Sequence, residues 1–212
     1  MNTKVVVALL GALALASAPV AAQQPAEGKF MVRLRALSLT PADKSDAIPS
    51  LSVAADAITV SKKIFPEVDV SYFFTPNIAV ELVLTIPQKH EVTVNALSLG
   101  KIGTFKHLPP TLLAQYHFTG LGALKPYVGA GVNYTILSSE KMSVGTDKVT
   151  IENSSIGPAI QVGADYRLNR NWYLNVDVKK VWIGTDVFLA GAKISELKVD
   201  PWLFSIGVGY RF

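Results

Sequence analysis

The chain has 212 residues, a formal net charge of +4, no cysteine, and a composition in which half of the residues are hydrophobic. This length fits one domain of ordinary size. The lack of cysteine excludes a disulfide framework and a cysteine-based metal site. The net charge is small and the sequence contains no basic run, so it indicates no nucleic-acid partner.

Residues 1–22 are predicted to be a secretory signal peptide. Lys4 gives the positive start, residues 5–16 form a short apolar run, and Val20-Ala21-Ala22 resembles a cleavage site. A transmembrane helix, the alternative, needs roughly 20 apolar residues, and this run is too short. After it, no apolar run is long enough for a membrane-spanning helix. The predicted organisation is therefore a signal peptide, 1–22, followed by one domain, 23–212.

The strongest pattern in the mature chain is the last stretch, residues 202–212. Its even positions are all large and apolar: Trp202, Phe204, Ile206, Val208, Tyr210 and Phe212. Alternation with period two indicates a strand with two different faces. Its length and its aromatic ends are typical of a strand that crosses a membrane, and such strands occur only in closed barrels.

Seven earlier segments show the same alternation. With the last one, the predicted strands are about 30–39, 65–74, 78–86, 111–118, 126–137, 155–167, 172–183 and 202–212. The connections alternate between short turns and long loops, and the long ones are about 40–64, 87–110, 138–154 and 184–199. This predicts an all-β protein: an eight-stranded antiparallel transmembrane β-barrel with short periplasmic turns and four long extracellular loops.

In this register the odd-numbered residues face the lumen, and those nearer the periplasm are polar or charged. The charged ones are Arg33, Arg35, Glu67, Asp69, Glu81, Asp165, Arg167, Asp177, Lys179 and Arg211. An eight-stranded barrel is only wide enough for its own side chains. Because unpaired buried charges are costly, we expect these residues to form a paired, hydrogen-bonded plug without a wide aqueous pore.

The lumen-facing residues nearer the extracellular end are apolar instead. They are Leu37, Leu39, Phe65, Val83, Leu113, Leu137, Val181, Ile183 and Leu203. An apolar pocket above a charged floor would bind a small hydrophobic molecule. These residues would alternatively pack against one another and the loops as an ordinary core. The sequence favours neither of these alternatives.

Several stretches resemble the outer membrane protein W (OmpW) family, from about Phe30 to the C-terminus. The matching motifs are His107-Leu108-Pro109-Pro110-Thr111 with Gln115, the run Pro126–Tyr134, Gln161–Tyr166, Asn169-Arg170-Asn171-Trp172, Asp200-Pro201-Trp202 and Gly209-Tyr210-Arg211-Phe212. Each motif is weak alone, but together they are specific.

The resemblance implies a barrel in the cell outer membrane, with a narrow apolar channel entered from outside. It also implies passive uptake of small hydrophobic molecules, with lateral escape into the membrane. The expected partners are outer-membrane lipid and lipopolysaccharide, the hydrophobic solute, and the barrel-assembly machinery, which reads a C-terminal aromatic such as Phe212. Many members have a lumenal tryptophan where this chain has Ile156, so no gate residue is carried over.

Two other functions compete with transport. A structural or receptor barrel would act through its long extracellular loops, which are often functional. A lipid-modifying enzyme would need a serine or aspartate beside a histidine near the outer rim, and no such arrangement is evident, so no catalytic residue is predicted. His90 and His107 are too weak a pair to predict a metal site, and no cofactor is expected.

Overall fold

The computed structural model describes residues 27–49 and 52–212, and the predicted signal peptide lies outside these ranges. The described residues contain fifteen strands. In chain order they are β1 Phe30–Thr40, β2 Lys44–Ser45, β3 Ile58–Val60, β4 Lys63–Phe73, β5 Ile78–Thr85, β6 Gln88–Val94, β7 Gly100–Leu108, β8 Thr111–His117, β9 Leu124–Val144, β10 Asp147–Ile151, β11 Ser154–Arg167, β12 Trp172–Val181, β13 Gly184–Leu189, β14 Ala192–Lys198 and β15 Trp202–Arg211. No helix in these ranges is long and apolar enough to cross a membrane.

Eight strands close into one antiparallel barrel, in the order β1, β4, β5, β8, β9, β11, β12 and β15. The barrel closes where β15 returns to β1, with Met31 opposite Arg211 and Leu39 opposite Leu203. Closure gives every strand a partner on both sides, as a membrane requires because lipid cannot satisfy backbone N–H and C=O groups. The predicted eight-stranded antiparallel barrel is confirmed.

The odd-numbered side chains of the barrel strands face the lumen. In β1, Arg33, Arg35 and Leu37 are buried, whereas Leu34 between them is 55% exposed. The same parity holds in the other barrel strands, so the predicted register is confirmed. Ile156 is 73% exposed on the outer face, which means that it contributes nothing to the lumen.

The long extracellular connections are themselves folded, which the sequence prediction did not include. β9 continues to Val144 instead of ending near Leu137, and β7 pairs with its upper part. β6 pairs with β3 and β7, while β10, β13, β14 and β2 pair in succession. We call these seven short strands and the upper part of β9 the extracellular extension. Alternating apolar residues such as Val92, Val94 and Phe105 turn inward and continue the barrel core upward.

Aromatic side chains ring the periplasmic rim of the outer face. Phe30 contacts Tyr72 at 5.0 Å between ring centroids, and Trp172 contacts Tyr210 at 5.1 Å. At the opposite rim, Lys180 lies between Trp182 and Trp202, 5.9 and 5.3 Å from the two ring centroids. Two such belts are typical of membrane-spanning barrels, whose aromatic rings lie at the membrane interfaces.

Gly207 allows β15 to approach β1 closely. A Cβ at this position would lie 2.0 Å from the carbonyl oxygen of Leu34 and 2.7 Å from the Cα of Arg35. Both are backbone atoms, so they cannot move aside without distorting the barrel wall.

We therefore expect Gly207→Ala to lower the free energy of unfolding by about 3 kcal/mol. The urea midpoint of the barrel refolded into lipid vesicles, followed by heat-modifiable gel migration, measures this. Gly184→Ala is the matched control because the nearest atom, Glu196 Oε1, lies 3.6 Å away. Equal midpoints for the two variants would contradict the close approach.

Candidate functional site

The lower lumen holds a compact group of ionisable side chains. Eight of the ten predicted charges contact one another and are almost completely buried: Arg33, Arg35, Glu67, Asp69, Glu81, Asp165, Asp177 and Lys179. We call these eight residues the charged cluster. It contains five carboxylates and three cations contributed by five different strands, so it ties opposite walls of the barrel together.

Arg33 links three walls of the lumen. Its Nη1 lies 2.8 Å from Glu81 Oε2 and donates to the Ser71 hydroxyl at 2.6 Å. Its Nη2 and Nε donate to the two oxygens of Asp165, at 2.6 and 3.1 Å. This two-bond pairing of a guanidinium with a carboxylate is the strongest geometry for such a contact.

Arg35 and Lys179 share the remaining carboxylates. Arg35 lies 3.2 Å from Glu67 and 3.1 Å from Asp69. Lys179 lies 2.9 Å from Glu67 and 2.7 Å from Asp177. Every cation of the cluster therefore contacts at least two carboxylates, which offsets much of the cost of burying it.

Neutral side chains complete the cluster, and the predicted register already placed them on the lumen face. Tyr127 donates its hydroxyl to Asp177 at 2.8 Å, and Gln161 donates to Glu81 at 2.9 Å. Asn175 donates to Asp165 at 2.8 Å. Their odd numbering in the predicted strands was the available signal, but alternation alone does not identify hydrogen-bond partners.

Arg167 and Arg211 lie outside this cluster, which corrects their predicted place in the plug. They lie at the periplasmic mouth with Lys125, and all three form ion pairs with Glu27. Burial raises the pKa of Glu27, but the Lys125 hydrogen bond and the three cations outweigh this effect and hold the pKa below its ordinary value. Glu27 was missed because it precedes the first strand, where no periodicity exists.

The upper lumen is apolar. The structure places all nine predicted residues there, buried in one continuous hydrophobic core: Leu37, Leu39, Phe65, Val83, Leu113, Leu137, Val181, Ile183 and Leu203. The same core continues into the extracellular extension through residues such as Phe105 and Met142. An apolar column therefore runs from the charged cluster to the outer end of the molecule.

Within the described residues, three small voids lie one above another along this column. The lowest has a volume of about 10 Å³ and is lined by Leu37, Glu67 and their neighbours, so it touches the charged cluster. The middle one, also about 10 Å³, shares Leu39 and His107 with the lowest. The uppermost, about 20 Å³, shares Phe105 with the middle one. Each void is about the size of one water molecule, so larger solutes require these side chains to move apart.

Two histidines of the extracellular extension line the middle void. His90 and His107 are 0% and 5% exposed, and their ring centroids lie 4.6 Å apart. Burial lowers the pKa of His90, and Lys63 contributes to this shift. Burial, with His90 and Lys63, lowers the pKa of His107 to about 3. Both imidazoles are therefore neutral at ordinary pH.

The barrel wall beside the apolar column is interrupted. The last pair of β5 and β8 is Val83 with Thr111, and the next pair above it is Gln88 with His107. Between these pairs, residues 84–87 and 108–110 form no cross-strand pair with each other within the described structure. Pro87, Pro109 and Pro110 occupy this interval, and proline has no N–H to donate to a strand partner.

Side-chain amides hydrogen-bond carbonyl groups of the chain in this interval. Gln88 donates to the carbonyl of Ile86 at 3.0 Å, and Asn133 donates to the carbonyls of Pro109 and Pro110 at 3.2 and 3.3 Å. We call this interval the proline gap. Thr85 and Pro109, on its two sides, both line the lowest void, so the gap lies directly beside the apolar lumen.

A larger depression lies outside the barrel, on the face turned toward the membrane. It has a volume of about 500 Å³ and is lined by outward residues such as Ala36, Val162 and Phe204. It opens toward the lipid, where acyl chains would fill it.

These features define a class of protein: an eight-stranded outer-membrane barrel with a charged lower lumen and an apolar upper lumen. The family model described as "OmpW family" matches residues 26–212. Outer membrane protein W of Vibrio cholerae is 38% identical over 210 residues, which cover 94% of both chains. The chain therefore belongs to the OmpW family and is an outer-membrane protein, as predicted.

Two further relatives extend the comparison. The crystal structure of outer membrane protein OprG from Pseudomonas aeruginosa superposes with a TM-score of 0.77 and 32% identity, over 88% of this chain and 96% of that one. The dibenzothiophene metabolism operon protein PahQ, also of Pseudomonas aeruginosa, is 32% identical over 152 residues, which cover 68% of this chain and 69% of PahQ.

We expect Lys179→Met to destabilise the barrel by about 3–5 kcal/mol, because it leaves Glu67 and Asp177 without their ammonium partner. Lys101→Met is the matched control, since Lys101 pairs with Glu91 on the surface and both side chains are more than half exposed. Urea midpoints in lipid vesicles measure both variants. A Lys179→Met midpoint equal to that of the control would contradict the stabilising role of the cluster.

Proposed function

We propose that this barrel mediates energy-independent entry of small hydrophobic molecules. The solute enters from outside, binds in the upper lumen, and leaves sideways through the proline gap into the membrane. The observation that carries the proposal is that the apolar column ends on the charged cluster at the same height at which the wall is interrupted. The charged cluster acts as the plug that blocks the straight route to the periplasm.

The energetics favour the sideways route. A hydrophobic molecule that crossed the charged cluster would have to separate Arg33, Arg35 and Lys179 from their carboxylates, which are buried from solvent, and each separation costs several kcal/mol. At the proline gap, no cross-strand pair joins residues 84–87 to residues 108–110 within the described structure, so this part of the wall can open without separating an ion pair. The gap is therefore the weaker barrier.

The name of the relative PahQ agrees with a hydrophobic solute. Its name connects it with dibenzothiophene metabolism, and dibenzothiophene is a fused aromatic compound that carries no charge. A molecule of that chemistry would be stabilised among leucine, valine and phenylalanine side chains by removal of its apolar surface from water.

The proposed transport requires no catalytic residue. His117 lies in the lower lumen, where its Nε2 is 3.0 Å from Gln115 Oε1, and His90 and His107 face the apolar column. Within the described residues, none of the three histidines makes a hydrogen bond to a serine hydroxyl or to a carboxylate. A hydrolase or acyltransferase mechanism would require such a contact.

We expect Leu37→Asp with Leu113→Asp to lower uptake of a hydrophobic fluorescent tracer into liposomes by about tenfold or more. Two carboxylates in the apolar column would disfavour an apolar solute by well over 1.4 kcal/mol. Leu37→Met with Leu113→Met is the control, which keeps the lumen apolar and should keep the uptake. Heat-modifiable gel migration establishes that each variant is folded.

Two results would overturn the proposed route. Unchanged uptake by the folded aspartate variant would mean that the upper lumen is packing alone. Uptake by the wild type no faster than by protein-free liposomes would place the function in the extracellular extension, as a structural or receptor barrel.

The proline gap has its own test, because the chain contains no native cysteine. We expect a disulfide between Thr85→Cys and Pro109→Cys to hold the gap closed and to stop delivery of the tracer into the lipid phase. Reduction should restore delivery. Val68→Cys with Leu84→Cys is the control, since this pair crosses the intact wall between β4 and β5. Undiminished delivery with the oxidised Thr85–Pro109 pair would exclude this exit.

A further inference from the structure

His90 and His107 place buried polar atoms in a column that is otherwise apolar. The Nε2 atoms of both rings are buried and have no hydrogen-bond partner within the described residues. A buried polar group without a partner is unfavourable, so such atoms require a physical explanation. Both rings line the middle void, and His107 also lines the lowest one.

The hydrogen bond made by Nδ1 of His90 determines whether its Nε2 is a hydrogen-bond donor or an acceptor. Nδ1 lies 2.8 Å from the carbonyl oxygen of Ser61 and must donate its hydrogen to it. The ring is neutral, so Nε2 carries no hydrogen and is an acceptor. The group that pairs with it must therefore be a hydrogen-bond donor.

The apolar side chains around the two rings restrict which kind of donor can bind there. Leu39, Val60, Phe105, Leu137 and other apolar side chains surround the two rings. A charged donor such as an ammonium group would lose its hydration there without a counter-ion. A carboxylate only accepts hydrogen bonds and gains nothing from an acceptor nitrogen. A hydroxyl group is uncharged, and it both donates and accepts, so it satisfies His90 and also serves His107 in either tautomer.

We propose that His90 and His107 form a hydrogen-bonding site for the hydroxyl group of a small apolar alcohol or phenol. The apolar remainder of that molecule lies along the column, among Leu39 and Ile183 below the rings or toward Phe105 above them. The inference rests on the proposed function and adds a substrate class to it. The pair selects hydroxylated compounds over pure hydrocarbons of the same size.

The experiment is nitrogen NMR of the refolded barrel in lipid nanodiscs, with ¹⁵N-labelled histidine and ¹³C-labelled leucine methyl groups. The chain has only three histidines, so His117 in the lower lumen is an internal control. The two probes are 1-octanol and 1-chlorooctane, which are similar in size and shape, but only the first has a hydroxyl. The leucine methyl groups report occupancy of the column by either compound.

We expect 1-octanol to shift the Nε2 resonances of His90 and His107 and to leave those of His117 unchanged. 1-Chlorooctane should shift the leucine methyl groups but not the imidazole nitrogens, and should bind about tenfold more weakly, the equivalent of one hydrogen bond. His90→Phe and His107→Phe should remove this preference and keep the affinity for 1-chlorooctane.

Other outcomes overturn the hydroxyl site in distinguishable ways. Leucine shifts with both compounds, equal affinities and unmoved imidazole nitrogens would refute the site while leaving the apolar route intact. If neither compound shifts the leucine methyl groups, the proposed function fails together with the site. A Zn²⁺ titration that moves the two Nε2 resonances, when 1-octanol does not, would assign the pair to a metal instead.

Discussion

The pairing of buried charges in the lower lumen is the interaction on which the rest of the structure depends. Five carboxylates and three cations occupy an interior with almost no access to water. Each must be held by partners on other strands, so the cluster fixes the relative height of the barrel walls. It also fills the lower lumen, and the apolar column and the interrupted wall lie directly above it.

Ion pairs close one end of the lumen, and apolar contacts close the other. At the periplasmic mouth, Glu27 binds three cations and holds the start of the barrel against its end. Toward the outside, closure depends on leucine, valine and phenylalanine contacts that leave water-sized voids. Apolar contacts are non-directional and can rearrange at low cost, whereas the ion pairs cannot. The packing of the upper lumen is therefore adaptable, whereas the lower lumen is rigid.

The strands and their register followed from the sequence because alternation with period two leaves only one assignment of faces. Arg33, Leu37 and Ile156 each point where their parity indicates. The sequence could predict that Arg33 pairs with carboxylates in the lumen, but not with which ones. Residue parity assigns a side chain to a face of the strand and gives no distance between side chains on different strands. Arg167 and Arg211 have the same parity as Arg33, but they lie at the strand ends and pair with Glu27. The extracellular strands were missed because their short, irregular repeats depend on the barrel beneath them for pairing.

The most direct test of this account is to locate a solute in the barrel. Crystals of the refolded protein soaked with 1-bromonaphthalene would reveal the bromine by its anomalous scattering. We expect a bromine peak inside the upper lumen, among Leu37, Phe65 and Leu113 and above the charged cluster. A peak found only in the membrane-facing depression near Ala36 and Phe204, with the lumen still closed, would contradict it.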